Sequence, residues 1–535
     1  MPLRHNKLSD NVIISVVDLA CCSIVSKLRT TSNIRLMLQE LIIWIKALPW
    51  DSIVKVGTVF YVLFAIAVCI AILMNARSGS KALAYITLIV LVPILGILFY
   101  LSFGINYRKA KIYTRKILED DRLSNLVQQI LEQQFREVSL EHKGDLDYFY
   151  PLAKMVQEDA RNFFSDDNQI DLLINGEQKF ERLIKDLENA KEHIHMQYYI
   201  YENDEIGNQI ADVLIRKHKE GVAVRFIYDD FGASSIRKTI VRRLRDAGVP
   251  CYPFYKIRLI FLANRLNYRN HRKIVIIDKL IGYVGGINVA DKYINRPGSQ
   301  QYWRDTHLRI EGMSTLSLQM VFLSDWQFCT DQDIENIGDY FPRRLSEEDQ
   351  SGSDKVVQII ASGPDSKYPS ILFAINRAIL LSKKKVWLTT PYFIPDETLT
   401  DALIMASLSG IDVKLLVPMD SDSAFVNTCA SSHYEEMLEA GVEIYRYKKG
   451  FVHAKTMVCD DKIAFVGTAN LDQRSFDLNF EVNAIVYNRD VAHQLTQAFL
   501  KDLEDAEEIV YEEWLARPRW KRLIERVLYL FSPLM

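Results

Sequence analysis

Two long apolar runs open the pattern. Val56–Met74 holds 19 residues without a charge, and Ala82–Ile105 holds 24. As helices, both are long enough to cross the roughly 30 Å of a bilayer's hydrocarbon core. Only seven residues separate them, so the pattern predicts a two-helix transmembrane hairpin over 51–110. Pro93 in the second run is compatible with that, because neighbouring groups in a membrane helix satisfy the carbonyl it frees. The flanks set the orientation. Arg77 and Lys81 are the only charges between the runs, whereas Lys46 and Lys55 precede them and Arg108, Lys109, Lys111, Arg115 and Lys116 follow. The positive-inside rule puts both ends in the cytoplasm. The apolar stretch starts too late for a cleaved signal peptide, and no small-residue cleavage site stands out. Ahead of it, Asn11–Val25 is apolar but contains Asp18, and Leu36–Leu48 is amphipathic. Residues 1–50 therefore read as an extension compatible with an interfacial helix.

After a helical linker over 111–165 the pattern changes and then repeats. "HIHMQYYIYENDEIG" (193–207) corresponds to "KVWLTTPYFIPDETL" (385–399), "GVAVRFIYDD" (221–230) to "GIDVKLLVPMD" (410–420), and "LRDAGVPCYPF" (244–254) to "MLEAGVEIYRY" (437–447). Short β-branched runs alternate with helical stretches such as Gln178–Ala190 and Pro369–Leu381. This is the α/β pattern, with strands buried on both faces under flanking helices. Two homologous lobes follow, 166–342 and 355–535, joined by the polar stretch Arg343–Asp354. Paired lobes of this kind pack around a cleft, where site residues are expected to converge.

At 535 residues the chain exceeds a single domain. Its 65 basic and 68 acidic residues lack the basic excess of a dedicated nucleic-acid binder, so no nucleic-acid partner is expected. The seven cysteines (21, 22, 69, 251, 329, 429 and 459) are odd in number and scattered, as buried thiols in a reducing compartment would be. Neither they nor the ten histidines show metal-ligand spacing. No metal and no cofactor are expected.

The candidate chemistry is duplicated too. "HRKIVIIDKLIGYVGGIN" supplies His271, Lys273 and Asp278, followed by Gly285, Gly286 and Asn288. "HAKTMVCDDKIAFVGTAN" supplies His453, Lys455 and Asp460, followed by Gly467, Thr468 and Asn470. Both fit H-x-K-x4-D with an asparagine 17 residues after the histidine. Residues two apart on extended chain share a face, so each lobe projects an imidazole and an ammonium together, and the asparagine returns on the neighbouring strand. Two lysines and two amides suit the non-bridging oxygens of a phosphodiester. One neutral imidazole can attack phosphorus while a protonated one donates to the leaving oxygen. Asp305 in "WRDTHLRI" and Glu481 in "NFEVNAIV" hold matching places and are the expected carboxylates orienting the imidazoles. Asp278 and Asp460, although part of the motifs, read as structural.

Paired H-x-K-x4-D motifs resemble the phospholipase D superfamily. From about residue 50 the chain looks like the bacterial cardiolipin synthases, through "NYRNHRKIVIID", "YWRDTHLRI", "TPYFIPDE", "FVHAKTMVCDD", "GTANLDQRSF" and the tail "RVLYLFSPLM". The long extension before the first span departs from that family. The resemblance implies a phosphatidyltransferase with phosphatidylglycerol and cardiolipin as membrane partners. It implies His271 as the nucleophile, carrying a phosphohistidine, and His453 as acid and then base, although the near two-fold symmetry leaves either order open. A hydrolytic phospholipase D, transfer to another alcohol and, more distantly, a nucleic-acid phosphodiesterase use the same motifs.

The remaining histidines (5, 142, 193, 195, 218, 307, 433 and 493) read as ordinary surface or core groups. Arg265, Arg269 and Arg272 read either as a solvated face or as headgroup contacts. Tyr198, Tyr199 and Tyr201 read as core and cleft wall. Trp514–Phe531 mixes basic and apolar residues, and reads either as an amphipathic helix on a membrane or as one docked on the second lobe.

Overall fold

The computed structural model describes residues 40, 43, 49–75, 79–100, 146–160, 165–254, 268–299, 301–330, 337–341, 353, 355–530 and 532. They fall into two compact units, Met1–Leu98 and Phe99–Met535. Asn11–Val25, nearly all of Leu36–Leu48, the stretch 343–354 apart from Ser353, and Arg265 lie outside the described residues.

In the first unit the opening apolar run forms a helix, Trp50–Asn75, of which Lys55–Met74 is long and apolar enough to cross a membrane. Val59, Phe60, Val62, Leu63, Phe64, Ile66, Ile70 and Leu73 stand exposed along it. The second run differs from expectation. It divides into Gly79–Leu91 and Pro93–Phe99, each shorter than a span. Pro93 has no N–H to continue the ladder, and its ring crowds the preceding turn. The break brings the chain back on itself, since a Cβ on Gly96 would lie 2.6 Å from the Leu88 carbonyl oxygen. Residues 101–105 of that run lie outside the described residues.

The second unit is built on two mixed sheets of the same topology. The first contains β1 (Asn168–Ile174), β2 (His193–Tyr198), β3 (Ala223–Tyr228), β4 (Cys251–Pro253), β5 (Ile274–Ile277), β6 (Ile281–Gly285) and β7 (Thr306–Gly312), in the order β1-β7-β6-β5-β2-β3-β4. The second contains β8 (Val356–Ser362), β9 (Lys385–Thr389), β10 (Asp412–Pro418), β11 (Glu443–Tyr447), β12 (Thr456–Cys459), β13 (Ile463–Gly467), β14 (Asn479–Tyr487) and β15 (Ala506–Glu508). Its order, β8-β14-β13-β12-β9-β10-β11, repeats the first, with β15 added at the edge. In both, the central hairpin (β5–β6 or β12–β13) lies antiparallel to its neighbour on either side, and the strands β2-β3-β4 and β9-β10-β11 run parallel to one another. The repeat read from sequence is thus a structural repeat of the sheet.

Alternation along the strands divides the core. Val275 and Ile277 of β5 face an outer cluster with Leu183 and Ile210 from the helices Asn175–Glu188 and Glu205–Lys219. Ile274 and Ile276 face inward. The second sheet does the same, with Met457 and Cys459 of β12 outward and Val458 inward. The inner faces meet in one cluster that also takes Phe322 and Leu495 from the helices Thr315–Thr330 and Arg489–Glu504. Fully burying one such side chain contributes about 1.5–3 kcal/mol, so the shared cluster holds both lobes as one body. Residues 146–160, within the expected linker, pack Phe149, Leu152 and Val156 into the second lobe's outer cluster.

Two short parallel pairings cross between the lobes. Arg269–Asn270 runs beside Asn479–Phe480, and Gly450–Val452 beside Tyr302–Arg304. Each joins a segment leading into a motif histidine to the other lobe's carboxylate segment. A Cβ on Gly450 would meet the Tyr302 carbonyl oxygen at 2.1 Å, so glycine is what lets the second pair close.

Candidate active site

The crossing strands set the site. His271 N–H donates to the Phe480 carbonyl at 2.9 Å, and His453 N–H to the Arg304 carbonyl at 2.7 Å. Each histidine is thereby delivered to the carboxylate of the opposite lobe. Nδ1 of His271 lies 3.0 Å from the Glu481 carboxylate, and Nδ1 of His453 lies 2.6 Å from Asp305 Oδ2. An ionised carboxylate only accepts, so in each neutral imidazole Nδ1 carries the hydrogen and Nε2 keeps its lone pair. The partnership is reciprocal and crosses the lobe boundary twice.

Behind each imidazole stands its lysine. Lys273 Nζ donates to the His271 carbonyl at 2.8 Å, and Lys455 Nζ to the His453 carbonyl. All six groups are buried. Aromatic rings wall the pair: Tyr199 lies 4.8 Å from the His271 ring, and Tyr293, Trp303 and Phe451 surround His453.

The two halves differ in how the carboxylate is supported. Glu481 accepts from the Thr468 hydroxyl at 2.5 Å and from Asn479 Nδ2 at 3.2 Å. Asp305 accepts from the Thr306 N–H at 2.7 Å, and a Cβ on Gly286, the counterpart of Thr468, would meet Asp305 Oδ1 at 2.1 Å. The asparagines also diverge. Asn288 turns into its own lobe, accepting from the Ile200 N–H and donating to the Tyr293 hydroxyl. Asn470 donates to Asp472, while its Oδ1 is buried with no hydrogen-bond partner.

Asp278 and Asp460 are not brought to the cluster. Seven residues of extended chain put Asp278 roughly 20 Å from His271. Its carboxylate accepts from the N–H groups of Lys191, Glu192 and His193 at 2.7–2.9 Å. Asp460 does the same for Lys383, Lys384 and Lys385, and also accepts from the Tyr148 hydroxyl. Both aspartates sit at positive φ in the turn of a β-hairpin, 47° and 55°, a conformation aspartate tolerates better than most residues. They staple that hairpin to the start of the neighbouring strand.

Arg272 lies behind Glu481, pairing with Asp325 at 2.6 Å and donating to the Glu481 carbonyl at 3.2 Å. Gln197 completes this buried group through Asp325 at 2.7 Å. Arg269 lies over the exposed ring of Phe231. His193 and His195 are held by Gln319 and Arg225 beneath the helix Thr315–Thr330 and do not join the cluster. Lys179 was not singled out by sequence, yet it is fully buried with its Nζ over the Tyr198 ring. A lysine inside the apolar stripe of Phe180, Leu183 and Leu187 was the available signal.

Burial dominates the electrostatics. It pushes His271 down to about 4 against the opposing pull of Glu481, and holds His453 well below the usual imidazole range, with Lys455 and Lys273 adding to the effect. Burial likewise lowers Lys273 to about 7 and Lys455 to about 8, and raises Asp305 to about 6. Two buried ammonium groups with weakened hold on their protons favour an anion that would restore their charge. Among the described residues there is no cluster of histidine, cysteine, aspartate or glutamate able to hold a metal ion.

Two lobes of one topology, each completing the other's histidine, define a phospholipase D-like protein of the double-lobed kind. The family model described as "Cardiolipin synthase, PLD-like domain" matches residues 183–298 and 375–503. The chain is 40% identical to the major cardiolipin synthase ClsA of Bacillus subtilis over 483 residues, covering 89% of this chain and 98% of that one. It is 39% identical to the cardiolipin synthase of Alkalihalophilus pseudofirmus over 482 residues, 90% and 94% of the two chains. The phosphatidylserine synthase structure from Haemophilus influenzae shares the fold, with a TM-score of 0.54 at 15% identity over 72% of this chain and all of that one. The chain belongs to the cardiolipin synthase family, phosphatidyltransferases of the phospholipase D superfamily.

Proposed function

We propose that this chain joins two phosphatidylglycerol molecules into cardiolipin and releases glycerol. The reciprocal pairing of His271 with Glu481 and His453 with Asp305 carries the reading, because it leaves two Nε2 atoms free in one buried site flanked by two lysines. His271 Nε2 attacks phosphorus and the bond to the glycerol oxygen breaks, that oxygen taking a proton from His453 Nε2. His453 then removes the proton from the terminal hydroxyl of a second phosphatidylglycerol. The resulting oxygen attacks phosphorus and frees His271. Lys273, Lys455 and Asn470 bear on the non-bridging oxygens, where charge gathers in each transition state. Asn288 and Thr468 act by holding Tyr293 and Glu481 in place. With both carboxylates and both lysines ionised their charges cancel, and one imidazolium balances one phosphodiester anion, so substrate and proton enter together without leaving the buried site with a net charge.

The exposed apolar surface of Lys55–Met74 supports membrane anchoring. The basic flanks support lobes on the cytoplasmic side, with the uncharged stretch 82–105, hooked at Pro93 rather than running as one helix, returning the chain to that side.

Lipid analysis after incubating the purified, detergent-solubilised protein with phosphatidylglycerol, without added metal, tests the reaction. Cardiolipin with equimolar glycerol is expected. Phosphatidic acid with glycerol would make water the acceptor and the chain a hydrolase.

A further inference from the structure

The helix Arg519–Tyr529 is turned inside out. Trp520, Leu523, Ile524, Val527 and Leu530 form a stripe at i, i+3, i+4, i+7 and i+10, the spacing of a core-facing helix, yet they are 60%, 66%, 45%, 48% and 73% exposed. Two of its charged residues, Arg522 and Glu525, face the protein instead. Glu525 is buried against Arg517 through two hydrogen bonds of 2.7 and 3.0 Å, and Arg522 reaches Glu435 at 3.0 Å. The inner side is pinned further by Cys429 Sγ on the Leu528 carbonyl and Ser532 Oγ, and by His433 Nε2 at 3.1 Å from Ser532 Oγ. With that side fixed, the helix cannot roll its apolar stripe into the core. Phe425 stands exposed on Ala424–Ser431, the helix against which it packs.

We propose that this stripe docks the second lobe on the surface of an anionic bilayer. A folded lobe holds an apolar ridge in water only where another apolar medium covers it. Arg519 and Lys521 stand exposed beside the ridge, at the level of phosphate headgroups if the stripe enters the acyl boundary. Tryptophan at the edge of the stripe suits the same interface. The inference rests on the lipid-substrate reading for its purpose: a lobe lying on the bilayer meets phosphatidylglycerol at the height of its headgroup.

The full chain, reconstituted into phosphatidylcholine–phosphatidylserine vesicles carrying a lipid with a photoreactive acyl chain, provides the test. After irradiation, labelled peptides are mapped by mass spectrometry. Label is expected on 519–530 as well as on 55–74. The double variant Leu523→Glu, Val527→Glu should lose the former roughly tenfold while keeping the latter. Omitting phosphatidylserine should weaken the former, and equal labelling in phosphatidylcholine alone would overturn the anionic part. Label on 55–74 with none on 519–530 in the unmutated chain would overturn the proposal. Phosphatidylglycerol turnover plays no part in the readout, so failure of the transferase reading leaves the test intact.

Discussion

Each histidine owes its reactive tautomer to a carboxylate, and Glu481 owes its position to Thr468. Glu481→Gln keeps the shape but removes the charge that stabilises an imidazolium, so turnover should fall roughly 10²–10⁴-fold. Thr468→Val alone should cost about tenfold, and should add little in the Glu481→Gln background, because the hydroxyl acts through the carboxylate. Fully additive losses in cardiolipin formation would contradict that dependence. The lysines carry a pH signature. Lys273 at about 7 and Lys455 at about 8 are cationic below those values and lose their protons as pH rises through them. Since kcat/KM reports the free enzyme, it should decline across that window at fixed lipid composition. A flat profile there would mean that the lysines stay charged without substrate. The motif residues and both carboxylates were legible in the sequence, since spacing and repeat position single them out. Which histidine each carboxylate serves was not, because a repeat aligned to itself pairs groups within a lobe, whereas the strands Arg269–Asn270 and Gly450–Val452 cross over. Arg272 was ambiguous for a related reason: a charge beside two site residues looks like part of the site until Asp325 is seen to hold it.

At the scale of elements, the motif aspartates tie a hairpin to its neighbour. Asp278→Ala strands three backbone N–H groups and places alanine at positive φ, a loss of about 1–3 kcal/mol from the hydrogen bonds alone. A lower unfolding midpoint with near-normal cardiolipin formation per folded molecule is the expected result, and a fully stable but inactive variant would contradict it. Elements of the lobes were readable because period-two runs bounded by helices repeat twice. Val275 with Ile277, and Ile274 with Ile276, divide between the two faces as alternation requires. The second apolar run was read by composition, which has no way to register that Pro93 and the close approach of Gly96 fold it back at that point. The carboxy-terminal helix left two readings open. Its inward-facing charges emerged only with Glu435 and Arg517 in view.

At the scale of the molecule, protease added to right-side-out membrane vesicles should spare the lobes, and in inverted vesicles should cut them, if they lie on the cytoplasmic side. The reverse pattern would overturn the orientation drawn from the charged flanks. The crossed carboxylates have a consequence for synthesis. His271 and Glu481 are 210 residues apart, so at ordinary translation speeds the histidine is made roughly 10–40 seconds before its partner exists. During that interval the first sheet's inner face lacks the second sheet that covers it, and its imidazole has no group to fix its tautomer and no second lobe to exclude water. A truncated or stalled chain therefore carries an intact motif without a working site, and the nascent protein cannot begin to cut the membrane lipids beside which it is being made.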